Sequence, residues 1–162
     1  MRSPLIIAID GRSAAGKTTL ANKISDAVIH IDDFFLPKNL RTPEREINFH
    51  HERFACEVLP FLRGNEAFSY KIFDCARGDF FGERKILPAK IRVVEGSYSH
   101  HPILGEYMDL RVFCDIDAHS QITRIESRNG KISAKVFSEK WIPSEEKYFF
   151  LYDIKEKSDI VL

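Results

Sequence analysis

The chain of 162 residues predicts an α/β fold in three layers, a mostly parallel five-stranded sheet with helices on both faces. Three observations carry that expectation. Short apolar runs alternate with amphipathic stretches, the pattern of repeated strand–helix units joined by crossovers. Gly11-Arg12-Ser13-Ala14-Ala15-Gly16-Lys17-Thr18 matches the pattern GxxxxGK[ST] between an apolar run and a helix start. Gly11, Asp32 and Glu95 each follow such a run, and open parallel sheets gather their sites at the carboxyl ends of the strands.

The elements follow in order. Leu5-Ile6-Ile7-Ala8-Ile9 reads as a buried strand, and residues 19–28 as a helix with Leu20, Ile24, Ala27 and Val28 at helical spacing. Val28-Ile29-His30-Ile31 is a second short strand ending at Asp32-Asp33. Residues 36–48 are polar, carry Pro37 and Pro43, and read as a loop. Residues 52–63 place Phe54, Val58, Leu59 and Leu62 on one helix side, and Pro60 must kink or end that helix. Residues 68–73 alternate and can pair with Lys85-Ile86-Leu87 in a small β excursion around Gly78 and Gly82. Ile91-Arg92-Val93-Val94 and Leu110-Arg111-Val112-Phe113 are core strands ending in Glu95 and Asp115. Residues 118–128 form a helix with Ile122 and Ile125 inward, stopped by Asn129-Gly130. Ser144 caps a helix from Glu145 to about Tyr152, and residues 159–162 are the last strand.

Composition narrows the function. Residues 1–162 suit one domain, with an excursion at about 36–90 and a lid at about 124–135. Lys plus Arg and Asp plus Glu balance at 24 each, so no global field favours nucleic acid or an anionic membrane. No apolar stretch approaches the ~20 residues that span a bilayer, and no signal-peptide pattern opens the chain. Cys56, Cys75 and Cys114 lack metal-knuckle or redox spacing and read as free thiols in the cytoplasm. The pairs His50-His51 and His100-His101 point adjacent side chains apart and have no Cys/His spacing for a closed zinc site.

Strand, glycine-rich loop and helix start together make a polyphosphate cradle: backbone N–H groups face the ligand and the helix end adds partial positive charge. The nucleotide-binding set is Gly11 to Thr18 with Thr19 beside it. Lys17 would reach the β- and γ-phosphates and the Thr18 hydroxyl would ligate Mg²⁺.

With these residues in place the chain resembles the uridine kinase family of P-loop nucleoside kinases over nearly its whole length. The matching stretches, in order, are the phosphate loop, Asp32-Asp33-Phe34-Phe35, Asn48-Phe49-His50, Phe73-Asp74, Glu95-Gly96, and Arg124-Ile125-Glu126-Ser127-Arg128-Asn129. Phe34-Phe35-Leu36-Pro37, Gly96-Ser97-Tyr98-Ser99 and Trp141-Ile142-Pro143 are similar to a compact bacterial subgroup. The resemblance implies a 2-3-1-4-5 sheet, ATP and Mg²⁺ as cofactors, and transfer of the γ-phosphoryl group to a ribose 5′-hydroxyl.

That resemblance assigns roles. Asp32 becomes the base that orients the acceptor hydroxyl and a neighbour of the metal; its competing reading is a cap on the following turn. Glu95 would hold the metal with Thr18, or else pair with a nearby base. Arg124 and Arg128 lie one turn apart and would neutralise the transferring phosphoryl group beside Lys17, or form a solvated face with Glu126 and Asp117. Phe35, Phe73, Tyr70 and Phe49 could stack on a flat base or belong to the core, and Arg53 joins the acceptor set. Asp74 and Arg77 could bond the acceptor or each other. His50 stands where the family has a ribose-binding Asp, and imidazole offers a diol one acceptor where a carboxylate offers two. A small-molecule alcohol is therefore the expected partner, with a homo-oligomer possible. A binding module with an altered acceptor pocket is the alternative. A GTPase switch lacks its guanine-reading motif here, since Asn22-Lys23-Ile24-Ser25 lies in the first helix without the Asp.

Overall fold

The computed structural model describes residues 3–42, 45 and 47–162. Strand β1 (Leu5–Gly11) leads through the glycine-rich loop into α1 (Lys17–Ile24) and β2 (Val28–His30). Helices α2 (His51–Glu57) and α3 (Leu59–Leu62) precede the hairpin of β3 (Phe68–Asp74) and β4 (Asp79–Ile86). Then come β5 (Ile91–Glu95), β6 (Leu110–Cys114), α4 (Ala118–Asn129), α5 (Lys131–Val136), α6 (Ile142–Tyr152) and β7 (Ile160–Val161). The main sheet runs β2-β5-β1-β6-β7 with every pairing parallel. Numbered among themselves, its strands run 2-3-1-4-5, as the resemblance implies. The hairpin is a separate antiparallel pair.

The sheet divides the core in two through the period-two alternation of its strands. Ile6 and Ala8 face a cluster with Ile29, Val94, Phe34, Phe54 and Leu62, under α2 and α3. Ile7 and Ile9 face the opposite cluster with Ala21 of α1, Val93 and Val112. A third cluster packs Tyr148 and Phe149 of α6 against Phe113 of β6. Burial on both faces explains why these strands read as continuous apolar runs. Among the described residues the one fully buried cation is Arg92 in β5. Its guanidinium donates to the carbonyls of Phe61, Leu62 and Glu66 at 2.7, 2.9 and 2.8 Å, satisfying the open end of α3.

Several boundaries differ from expectation, each for a local reason. The helix expected over 19–28 spans Lys17–Ile24, because Ser25 turns extended; its Oγ donates to Ile91 O at 2.7 Å and accepts from Ala27 N at 3.0 Å, leading Val28 into β2. The helix expected over 52–63 breaks at Val58, so Pro60 falls in the first turn of α3, where its missing N–H is harmless. The second hairpin strand is much longer than residues 85–87. Ser144 caps nothing: it lies inside α6, where its hydroxyl donates to Lys140 O at 2.9 Å. The helical path after Gly130 runs through α5 and a π-helical turn, Phe137–Trp141, into α6. Within the expected 36–48 loop, Pro43, Glu44 and Glu46 lie outside the described residues. The three cysteines are unpaired, and among the described residues no helix is long and apolar enough to cross a membrane.

Gly11 closes β1 with φ 132°, and a Cβ there would stand 2.1 Å from the carbonyl oxygen of Cys114 in β6. Backbone meets backbone, so nothing flexible can yield. Gly11→Ala should lower folding stability by about 2–4 kcal/mol through overpacking and left-handed strain, measured as a reduced urea midpoint.

Candidate active site

The carboxyl ends of β1, β2 and β5 open into a cavity of about 650 Å³. Its floor is the glycine-rich loop, represented by Ser13, Ala14 and Gly16 to Thr19. Gly16 caps α1 in the left-handed region, which places the following N–H groups at the mouth of the helix. Lys17 folds back here, its Nζ donating to Gly11 O at 2.7 Å and Arg12 O at 2.9 Å. Gly11, Arg12 and Ala15 support the loop from outside the cavity lining. Arg12 turns away from the cavity: its Nε donates to Asp115 Oδ1 at 2.7 Å, and it pairs with Glu146 of α6.

Glu95 is almost fully buried at the end of β5. Its Oε2 accepts from the Thr18 hydroxyl at 3.1 Å, and its Oε1 lies 2.5 Å from Nδ1 of His30. The next residue has no room for a side chain, since a Cβ on Gly96 would come 2.8 Å from Cβ of Ile31. That contact draws the turn carrying Asp32 against the end of β5. Asp32 opens to cavity solvent while protein crowds it from nearly every direction. Its pKa is raised, first by this desolvation and then by the negative charge of Glu95; Lys17 opposes both.

The Thr18 hydroxyl and the Glu95 and Asp32 carboxylates line one cavity beside the phosphate loop, and they are oxygens of the kind a hard divalent cation takes. Among the described residues no three His, Cys, Asp or Glu side chains close a cage. That arrangement suits Mg²⁺, which keeps several waters and takes further oxygens from phosphate.

Asp33 faces the other way. Its buried carboxylate accepts from Tyr70 Oη at 2.9 Å and Arg84 Nε at 2.8 Å, fastening the hairpin to the end of β2. Tyr70 is consequently core, and burial first, with Asp33 second, lifts its phenol above its ordinary range.

Across the cavity, Arg124 and Arg128 of α4 both line the wall. Arg124 Nη1 donates to Ala14 O at 3.2 Å, and Arg128 Nε to Asn129 Oδ1 at 2.6 Å. Neither bonds Glu126 or Asp117; Asp117 instead caps α4 through Ser120 N. Phe137, Trp141 and Glu145 continue this wall past the expected lid end near 135.

Of the acceptor residues expected from sequence, the cavity takes Phe35 and Phe49 and adds Asn48, Lys38, Arg41 and Cys75. The others lie outside it. His50 precedes α2, with its pKa lowered chiefly by burial. Arg53 is buried, donating to both oxygens of Glu57 and to Lys71 O at 2.6 Å. Phe73 packs on Phe80 inside the hairpin. Asp74 and Arg77 bond each other at its tip, 3.6 Å apart, and Asp74 also accepts from Ala76 N. A hairpin pairing with a bulge at residues 71–73 carries these side chains away from the cavity, which single-residue spacing could not show.

Sequence reasoning also missed Glu145. Only 5% exposed, it reaches from α6 to the phosphate loop: Oε1 accepts from the hydroxyls of Ser13 at 2.5 Å and Ser97 at 2.9 Å, and Oε2 from Ser13 N at 3.1 Å. In the sequence it is only the residue after an expected cap, which carries no signal. Tyr98, between Ser97 and this wall, holds φ 78°, a conformation non-glycine residues rarely adopt. Burial, then Glu145 and Asp10, push its phenol up to about 12.

The chain is similar to known proteins across these parts. A uridine kinase of Chlamydia pneumoniae is 32% identical over a match covering 74% of this chain and 61% of that protein. A uridine kinase of Staphylococcus aureus (strain JH9) is 30% identical, the match covering 81% of this chain and 71% of that protein. The chain thus spans about two thirds of the length of these relatives. Among solved structures, one described as a possible uridine kinase from Bacillus stearothermophilus superposes with a TM-score of 0.74. That match covers 100% of this chain and 90% of that one; at 18% identity it speaks for the fold alone. No family model matches the chain.

Because Asp32 holds its proton more tightly folded than unfolded, stability falls as pH rises above the ordinary carboxyl value of 3.8 toward the raised one. Asp32→Asn should therefore raise the melting temperature at pH 7. The gain should vanish at acidic pH, where Asp32 is protonated in both states; thermal unfolding across pH reads both.

Proposed function

The chain belongs to the uridine kinase-like family of P-loop kinases, and from that premise we propose that it transfers the γ-phosphoryl group of ATP to the hydroxyl of a small alcohol, with a nucleoside 5′-hydroxyl the first acceptor to test. The observation that carries this reading is one cavity joining the Lys17-Thr18 loop, Asp32, Glu95 and two lid-side arginines. When bound, ATP with Mg²⁺ would supply the transferable group and a cation to neutralise its negative charge. The chain supplies position and charge. Thr18, Glu95 and Asp32 would hold the metal and its waters. Lys17 would exchange its bonds to Gly11 O and Arg12 O for phosphate oxygens. Asp32, made more basic by its crowded setting, would accept the acceptor's proton as the oxygen–phosphorus bond forms and the bridging oxygen leaves with ADP. Arg124 and Arg128 would neutralise charge on the group in flight.

A second reading of the acceptor has its own observation. His50, Asp74 and Arg77 lie outside the cavity while Lys38 and Arg41 line it, which favours an alcohol other than a nucleoside. Acceptor-dependent ADP release across nucleosides, sugars and anionic alcohols separates the two. ADP release indifferent to every acceptor would overturn the kinase reading.

Asp32→Asn should lower kcat by about 10²–10⁴ with ATP affinity nearly intact. Unchanged turnover would remove Asp32 from the mechanism. Glu95→Gln should raise the Mg²⁺ concentration for half-maximal rate by about tenfold or more, as expected when a metal loses a charged ligand.

A further inference from the structure

Glu145 places a buried carboxylate where a kinase of this kind would receive phosphate. It comes from α6, yet its carboxylate reaches across the cavity, accepting two hydrogen bonds from Ser13 of the phosphate loop and one from Ser97. One donor is the backbone N–H of Ser13, part of the loop pattern whose N–H groups bind anions. Ser97 stands two residues past Glu95, and the Thr18–Glu95 bond marks the corner suited to the metal. A metal held at that corner would stand beside the transferable group, which puts Glu145 at the end of the cavity where that group would lie. A carboxylate with these partners offers the same acceptor oxygens as a terminal phosphate, at the same donors, with the same sign of charge.

Resting on the phosphoryl-transfer reading above, we propose that Glu145 is a γ-phosphate-sensing residue: its carboxylate docks α6 on Ser13 and Ser97 until a nucleoside triphosphate takes the Ser13 donors and moves the helix, leaving the Ser97 contact behind. A diphosphate ends before this position and leaves the contact in place. Displacement works because two anions cannot share one set of donors, and like charges brought together across a contact weaken it. Part of the triphosphate's binding free energy is then spent on moving α6, so the site distinguishes substrate from product nucleotide by its third phosphate. The neighbouring Glu146–Arg12–Asp115 contacts lie outside the cavity lining and can keep α6 tethered while Glu145 lets go.

The chain carries its own reporter. Trp141 is its single tryptophan, lines the same cavity, and stands four residues before Glu145 on one continuous helical path. In the full chain with Mg²⁺, a non-hydrolysable ATP analogue should change Trp141 emission in a way that ADP does not. Glu145→Gln should tighten binding of the analogue by about three- to tenfold while altering ADP affinity less than about twofold, and its tryptophan emission should respond alike to both nucleotides. Ser97→Ala, which removes one of the docking donors, should shift the same ratio in the same direction by a smaller factor. Should Glu145→Gln fail to fold, the Ser97→Ala ratio and the wild-type emission decide the matter. Equal effects on analogue and ADP, or identical wild-type emission with both, would overturn the proposal. Because these are binding measurements without acceptor, they remain readable if transfer fails; absence of binding by either nucleotide would instead overturn the phosphoryl-transfer reading beneath it.

Discussion

The close approach of neighbouring strand ends governs everything at the mouth of this sheet. At Gly11 the end of β1 lies against the backbone of β6, and at Gly96 the end of β5 lies against the side chain of Ile31. Any side chain at either place would separate strand ends that must converge. With both bare, the start of α1, the end of β2 and the acidic end of β5 meet within hydrogen-bonding distance, and the turn carrying Asp32 follows directly. The Thr18–Glu95 bond and the mutual influence of Asp32 and Glu95 are products of that convergence.

The sheet was legible because its signals are local and repetitive. Leu5 to Ile9 is apolar at every position, as suits a strand whose residues from Ile6 onward are buried on both faces. The phosphate loop was legible because its spacing serves a single geometry. The acceptor wall was not. Phe35 and Phe73 look alike in sequence, yet an isolated bridge to Phe49 keeps Phe35 at the cavity, and Phe80 draws Phe73 into the hairpin. Likewise Asp32 and Asp33 are adjacent carboxylates whose opposite fates depend on Tyr70 and Arg84, 37 and 51 residues away in sequence. Long-range pairings of this kind leave no periodic trace. Glu145 was invisible for the same reason, since its partners sit more than 40 residues before it.

The charged groups around the cavity divide by whether they are compensated. Asp33 and Arg92, outside the cavity lining, are held by donors or carbonyls and serve the fold. Asp32 and Glu95 are like charges held near each other with Lys17 as the main counterweight. Folding alone gives no reason to keep such a pair, because replacing either with a neutral group would ease the repulsion. Frustration of this sort is where a polyanion's metal could do most, since a divalent cation converts the repulsion into attraction.

The π-helical turn at Phe137–Trp141 has a consequence for how this family of shapes could change over time. A wide turn of that type holds one more residue than the α-helical path needs, and each residue rotates the downstream chain by about 100°. Excising a single amino acid there would return the path to plain α-helical turns, whereas the same loss further along α6 would swing the residues after it off β6. Gaps of one residue should therefore be borne better within this turn than on either side of it.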